Sequence, residues 1–194
     1  MQKTWQRNTY TFLASQIISL LGSSLVQYAI TWYITRTTQS GVYATLSIVC
    51  GFLPTFFLSP FAGVWADRYN RKMLIILADA SIALCTLILA FIFISGYQAI
   101  WLLLLASGIR ALGGAVQSPA VNAMLPSLVP QEHLTRINGI NQTAQSAMML
   151  FSPMLAALLL GIEVGQPLVW IFFIDVITAA LAIFVMFFHF QVPA

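Results

Sequence analysis

The chain is 194 residues long, with 60% hydrophobic and only 7% charged residues, and its mean hydropathy is +0.90. A soluble domain needs far more charge to cover its surface, so this composition belongs in a bilayer. The formal charge of +3 comes from basic residues scattered at the ends of apolar runs rather than gathered in a stripe, which excludes a nucleic-acid partner.

Six apolar runs reach the roughly 20 residues that a helix needs to cross the hydrocarbon: 9–34, 42–66, 73–95, 98–122, 138–161 and 168–190. Lys3 and Arg7 precede the first, which is too long for a signal-peptide core and lacks a cleavage site, so it is read as a retained helix. It carries the amides of Gln16 and Gln27 beside Tyr28 and Trp32. The second run ends in Gly63-Val-Trp-Ala-Asp67-Arg68-Tyr-Asn-Arg71-Lys72, the densest charge cluster of the chain. The third holds Asp79 and Cys85, and Ser95-Gly96-Tyr97 leaves room for only a tight turn into the fourth, which holds Arg110 and Asn122. Pro126 to Arg136 reads as the one sizeable loop, with a short surface helix starting at Ser127 or just after Pro130. The fifth run contains Ser152-Pro153; after a short connection from Glu163 to Pro167, the sixth contains Asp175.

Basic residues set the orientation. An inside N-terminus puts Lys3, Arg7, Arg68, Arg71, Lys72 and Arg136 in the cytoplasm, with Arg36 outside and Arg110 within a helix. Both termini are then cytoplasmic and dual topology is disfavoured. Leu58-Ser59-Pro60-Phe61-Ala62-Gly63 echoes Phe151-Ser152-Pro153-Met154-Leu155-Ala156, as two three-helix units related by an inverted repeat would. Cys50 and Cys85 sit in apolar runs without a CxxC or a nearby histidine, and His133 and His189 lie at the cytoplasmic edge without partners at metal spacing, so no disulfide, metal or cofactor is expected. The chain has no HExxH and no GxSxG, which argues against an enzyme.

Charges within the runs need compensation, since a guanidinium near mid-helix costs at least a few kcal/mol unless it faces a partner or a polar cavity. Arg110 lies fourteen residues after Gly96 and Asp79 seventeen before it, a height difference of about 4.5 Å that suits an Asp79–Arg110 pair. Such a pair reads equally as a static register lock or as a coupling device. Asp175 has no basic residue evidently level with it, and is either a proton carrier or a neutral hydrogen-bonding group between helices. Asp67, Arg68, Arg71 and Lys72 suit a latch on one conformation or ordinary positive-inside anchoring.

Gly63 to Lys72 resembles the G-x-x-x-D-R-x-x-R-K signature between the second and third helices of the major facilitator superfamily, with Asn70, a residue tolerant of left-handed turns, in place of the usual glycine. Arg110-Ala-Leu-Gly113-Gly114 resembles that superfamily's R-x-x-x-G signature, often associated with proton coupling, and Ser152-Pro153-Met-Leu-Ala156-Ala157 stands where its drug antiporters carry G-P-x-x-G-G. Gly51-Phe-Leu-Pro54, Ser118-Pro119-Ala120-Val-Asn122 and Asp175 extend the likeness to bacterial macrolide efflux proteins.

The resemblance implies an all-α, six-helix half of a twelve-helix exporter, arranged as a 3+3 inverted repeat in the bacterial cytoplasmic membrane. The C-terminal half would be supplied in the same chain, by another chain or by a homodimer. It further implies proton-coupled, alternating-access export of a small amphipathic substrate. Arg110, Asp79 and Asp175 are then the coupling candidates, and Gly63, Asp67, Arg68, Arg71 and Lys72 the latch. Gln16, Gln27, Tyr28 and Asn122 become the cavity candidates, and Gly114, Ser152, Pro153 and Ala156 a helix-packing motif. The alternative is a truncated membrane domain that does not transport without a partner.

Overall fold

A computed structural model describes residues 2–161 and 166–189, with side chains for 5–161 and 166–188. Six helices follow one another: α1 (Gln2–Thr38), α2 (Gly41–Arg68), α3 (Arg71–Ile94), α4 (Ile100–Leu128), α5 (Gln131–Leu160) and α6 (Pro167–His189). All six are long and apolar enough to cross a membrane, and no strand occurs among the described residues. Of the connection expected over Glu163 to Pro167, residues 163–165 lie outside the described residues, as does the side chain of His189.

The helices outrun the apolar stretches that foretold them, because hydropathy marks the hydrocarbon slab while backbone hydrogen bonding continues into the interface. The largest difference is the loop expected over Pro126 to Arg136. Instead, α4 runs through Pro119 and Pro126 to Leu128, and α5 starts at Gln131 with Pro130 as its cap. A proline within a helix is tolerated where neighbouring groups in the bundle satisfy the freed carbonyl, so the turn shrinks to Val129 and Pro130. Asn70 also differs from expectation. Its backbone is extended (φ −62°), and its side chain accepts from the Lys72 and Met73 amides at 3.1 and 3.3 Å, so it caps α3 rather than making a left-handed turn. Left-handed backbone falls at Gln39 and Gly96, at the turns on the opposite side.

Within lipid the helices gain no hydrophobic drive toward one another, so close packing and hydrogen bonds must hold them. α1 packs on α5 and α6, α4 on α2 and α3, and α3 on α6. Two apolar clusters result. One joins Val26, Ile30 and Ile34 of α1 to Phe93 and Phe172; the other joins Phe12 to Ile75, Met124, Ile137 and Met186. Between them lies a polar layer. Glycines bring its walls together: a Cβ on Gly22 would collide with Thr178 and stand 3.0 Å from Asp175 Cα, and one on Gly113 would stand 2.6 Å from Ile82 Cγ1.

Candidate functional site

On α1, Gln16, Ser19, Ser23 and Gln27 recur at intervals of three and four residues, which places them on one helix face. The same spacing aligns Asp79 and Thr86 on α3, and Arg110, Gly114 and Gln117 on α4. These faces meet in the layer between the apolar clusters.

Arg110 does not pair with Asp79. Its Nη1 lies 2.5 Å from Asp175 Oδ2 on α6, with both side chains buried. Nη1 also donates to the Thr86 hydroxyl, and Nη2 donates to the Ser23 carbonyl at 3.1 Å. The second carboxylate oxygen, Oδ1, accepts from Ser23 Oγ at 3.1 Å, and Thr86 Oγ lies 2.8 Å from Oδ2. One guanidinium thus ties α1, α3, α4 and α6 together. The physical reason for the different pairing is height together with reach. Asp175 stands eight residues from Pro167 and Arg110 ten from Ile100, a difference of about 3 Å measured from the same side of the bundle.

Asp79 has neutral donors instead. Ser19 Oγ and Gln117 Nε2 both donate to Oδ1 at 2.7 Å, while Oδ2 is buried without a hydrogen-bond partner in the protein. Ser19, Ser23, Thr86 and Gln117, which complete these two sites, were not singled out from the sequence; the helical spacing of small polar residues along apolar runs is the signal that would have found them.

A cavity of about 250 Å³ opens beside the layer, walled by α1 and α4 with contributions from α2, α3 and α5. Gln16, Gln27, Gly114 and Arg110 line it, together with Gln117, Asn141 and Gln145. Gly51 makes room for one of these amides, since its Cβ would stand 2.7 Å from Gln27 Nε2. Asn122 does not line the cavity; it is exposed and accepts from the Nδ2 of the lining residue Asn141 at 3.3 Å. Tyr28 is not on the wall; it packs against the first apolar cluster. Gly114 meets nothing within 4 Å of its Cβ position, so it borders open space rather than a tight helix contact. Ser152 and Ala156 are buried, and Pro153 is half-buried inside α5.

At the α2–α3 hairpin, Asp67 and Arg68 are exposed on the last turn of α2, and Gly63 is half-buried. Arg71 Nε donates to the Ala66 carbonyl at 3.3 Å. Lys72 Nζ donates to the Phe187 carbonyl at 3.3 Å and lies 5.7 Å from that ring's centroid, joining the hairpin to the end of α6. His133 is exposed and stacks on Trp5 with ring centroids 5.0 Å apart. No group of three metal-ligating side chains occurs among the described residues.

The sequence model of the Major Facilitator Superfamily matches residues 12–194. The chain belongs to the major facilitator superfamily. This is a superfamily of multi-pass membrane transporters, not of enzymes. Macrolide efflux protein A of Streptococcus pyogenes is 37% identical over 158 residues, covering 81% of this chain and 39% of that protein. The staphyloferrin A transporter of Staphylococcus aureus is 26% identical over 156 residues, covering 79% of this chain and 39% of that protein. The chain therefore spans well under half the length of these relatives. A bacterial homologue of the human lysosomal transporter Spinster, solved inward-facing and unoccupied, superimposes with a TM-score of 0.71 at 15% identity, over 98% of this chain and 44% of that one. The shared fold is that of one part of a major facilitator protein.

Proposed function

We propose that this chain is the N-terminal six-helix domain of a proton-coupled exporter of small amphipathic compounds of the macrolide type, working by alternating access. The observation that carries the reading is Arg110, which borders the cavity and is bound to Asp175 in the same layer. A change at the cavity wall is thereby tied to the Asp175 carboxylate on α6, the coupling candidate. Asp79, hydrogen-bonded to Gln117 on that wall, is the second coupling candidate. The hairpin from Gly63 to Lys72 is the latch, holding α2 and α3 to the inner end of α6 in one conformation.

A 3+3 inverted repeat is supported by the contact pattern. Exchanging α1, α2 and α3 for α4, α5 and α6 turns the α1–α5 contact into α4–α2 and the α1–α6 contact into α4–α3, both of which are present. An inside location of both termini, in a bacterial cytoplasmic membrane, is supported by the basic residues; cysteine labelling should find positions 70 and 133 inside and position 97 outside.

The second reading, a domain inactive until paired, is supported by the apolar faces of α2 and α5, where Phe52, Phe56, Phe57, Met149, Phe151 and Met154 are exposed. A covalent second half, another chain or a second copy would fit against them. Fusing the chain to the segment of the S. pyogenes relative that lies beyond the matched region, in everted vesicles, tests the reading. Macrolide uptake that collapses with the proton gradient supports it. Inserted protein without such uptake contradicts it.

A further inference from the structure

Gln16 is 6% exposed, lies on the cavity wall, and neither its Oε1 nor its Nε2 meets a hydrogen-bond partner in the protein. A buried carboxamide left so costs free energy, and a group that reached its unmet donor and acceptor from the cavity would recover it. The wall's electrostatics narrow what that is. The Arg110 charge is balanced by Asp175, and Asp79 Oδ1 is occupied by Ser19 and Gln117. No carboxylate lines the cavity, since Asp79, with its Oδ2 unpaired, is not among the lining residues, so a cation there meets no direct counter-charge on the wall, and an anion finds the guanidinium already bound.

We infer that the cavity takes an uncharged, hydroxyl-rich group, sugar-like or polyol-like, anchored on Gln16. This rests on the cavity reading proposed above and names the chemistry of the group it accepts. A carboxamide presents an acceptor and a donor side by side, which suits two adjacent hydroxyls, one donating to Oε1 and the other accepting from Nε2. Ser24, Ser118, Gln27 and Gln145 supply further neutral donors and acceptors on the same wall. At about 250 Å³ the cavity falls below the about 300–1,000 Å³ of sites for whole drug-sized ligands. It therefore holds the polar head, while an apolar body lies along Ile17, Leu20 and Val121.

The test uses the full chain in lipid nanodiscs, with Cys50→Ala and Cys85→Ala, and Ser118→Cys as a reporter on the wall. Maleimide labelling is followed in the presence of octyl glucoside below its micelle concentration, or of octyltrimethylammonium, which has the same tail and a cationic head. The glucoside should slow labelling and the ammonium should not at equal concentration. Gln16→Leu should raise the glucoside concentration for half-protection about tenfold, the loss expected for one or two hydrogen bonds. Equal or better protection by the ammonium, or glucoside protection unchanged in Gln16→Leu, overturns the inference and leaves the cavity reading standing. Normal labelling with no protection by either compound overturns both. If Gln16→Leu does not insert, the contrast between the two heads in the chain that retains Gln16 decides alone.

Discussion

Arg110 on α4 and Asp175 on α6 meet at 2.5 Å with both side chains buried. Removing one partner leaves the other charged and unpaired, at a cost of about 3–5 kcal/mol. Asp175→Leu and Arg110→Leu should each lower the thermal midpoint in detergent sharply, while the double variant recovers much of the loss. Strictly additive losses in the double variant would show that the two residues act independently.

Asp79→Asn should be far milder. The carbonyl of the new amide still accepts from Ser19 and Gln117, so the loss should stay near about 1 kcal/mol, the scale of a single hydrogen bond. A thermal midpoint for Asp79→Asn as low as that for Asp175→Leu would mean that Asp79 holds a charge the described contacts do not balance.

The six helices were legible because apolar runs of membrane length and basic residues at their ends report directly on the bilayer. The Arg110–Asp175 pair was not, because counting from the Gly96 turn compares only helices joined in sequence, whereas α6 reaches Arg110 laterally between α1 and α3. Asn70 departs from expectation for a related reason. A signature position usually filled by glycine suggested a left-handed turn, yet the same residue type is a strong helix N-cap, and here the backbone is extended. The loop from Pro126 to Arg136 was overestimated because prolines that end soluble helices are accommodated inside a bundle in lipid. Gln16, Gln27 and Arg110 were found from the sequence because their polarity stands out in apolar runs. Ser19, Ser23 and Thr86 do not stand out, because small hydroxyls are common in such runs.

Gly22→Val should separate α1 from α6 beside Asp175, since even a Cβ there collides with Thr178. Overpacking of this kind costs about 1–3 kcal/mol, and the yield of folded protein should fall. Gly114→Ala, with nothing near its Cβ position, should match the unsubstituted chain in midpoint and yield. Equal damage from both would overturn the assignment of Gly22 as the close contact.

Asn70→Ala removes the cap on α3 and should cost about 0.5–2 kcal/mol, whereas Asn70→Gly should cost only a few tenths. Thermal unfolding in detergent distinguishes them. Equal costs would mean that the Asn70 side chain does not cap.

The most direct test of the account is proton movement driven by drug. In proteoliposomes carrying the fused protein and an internal pH indicator, adding a macrolide should shift the internal pH. Asp175→Asn paired with Arg110→Gln, which keeps the layer uncharged and hydrogen-bonded, should abolish the shift while leaving a folded, inserted protein. Drug-driven proton movement at the unsubstituted rate in that double variant would contradict the claim that the Arg110–Asp175 pair links the cavity to the proton.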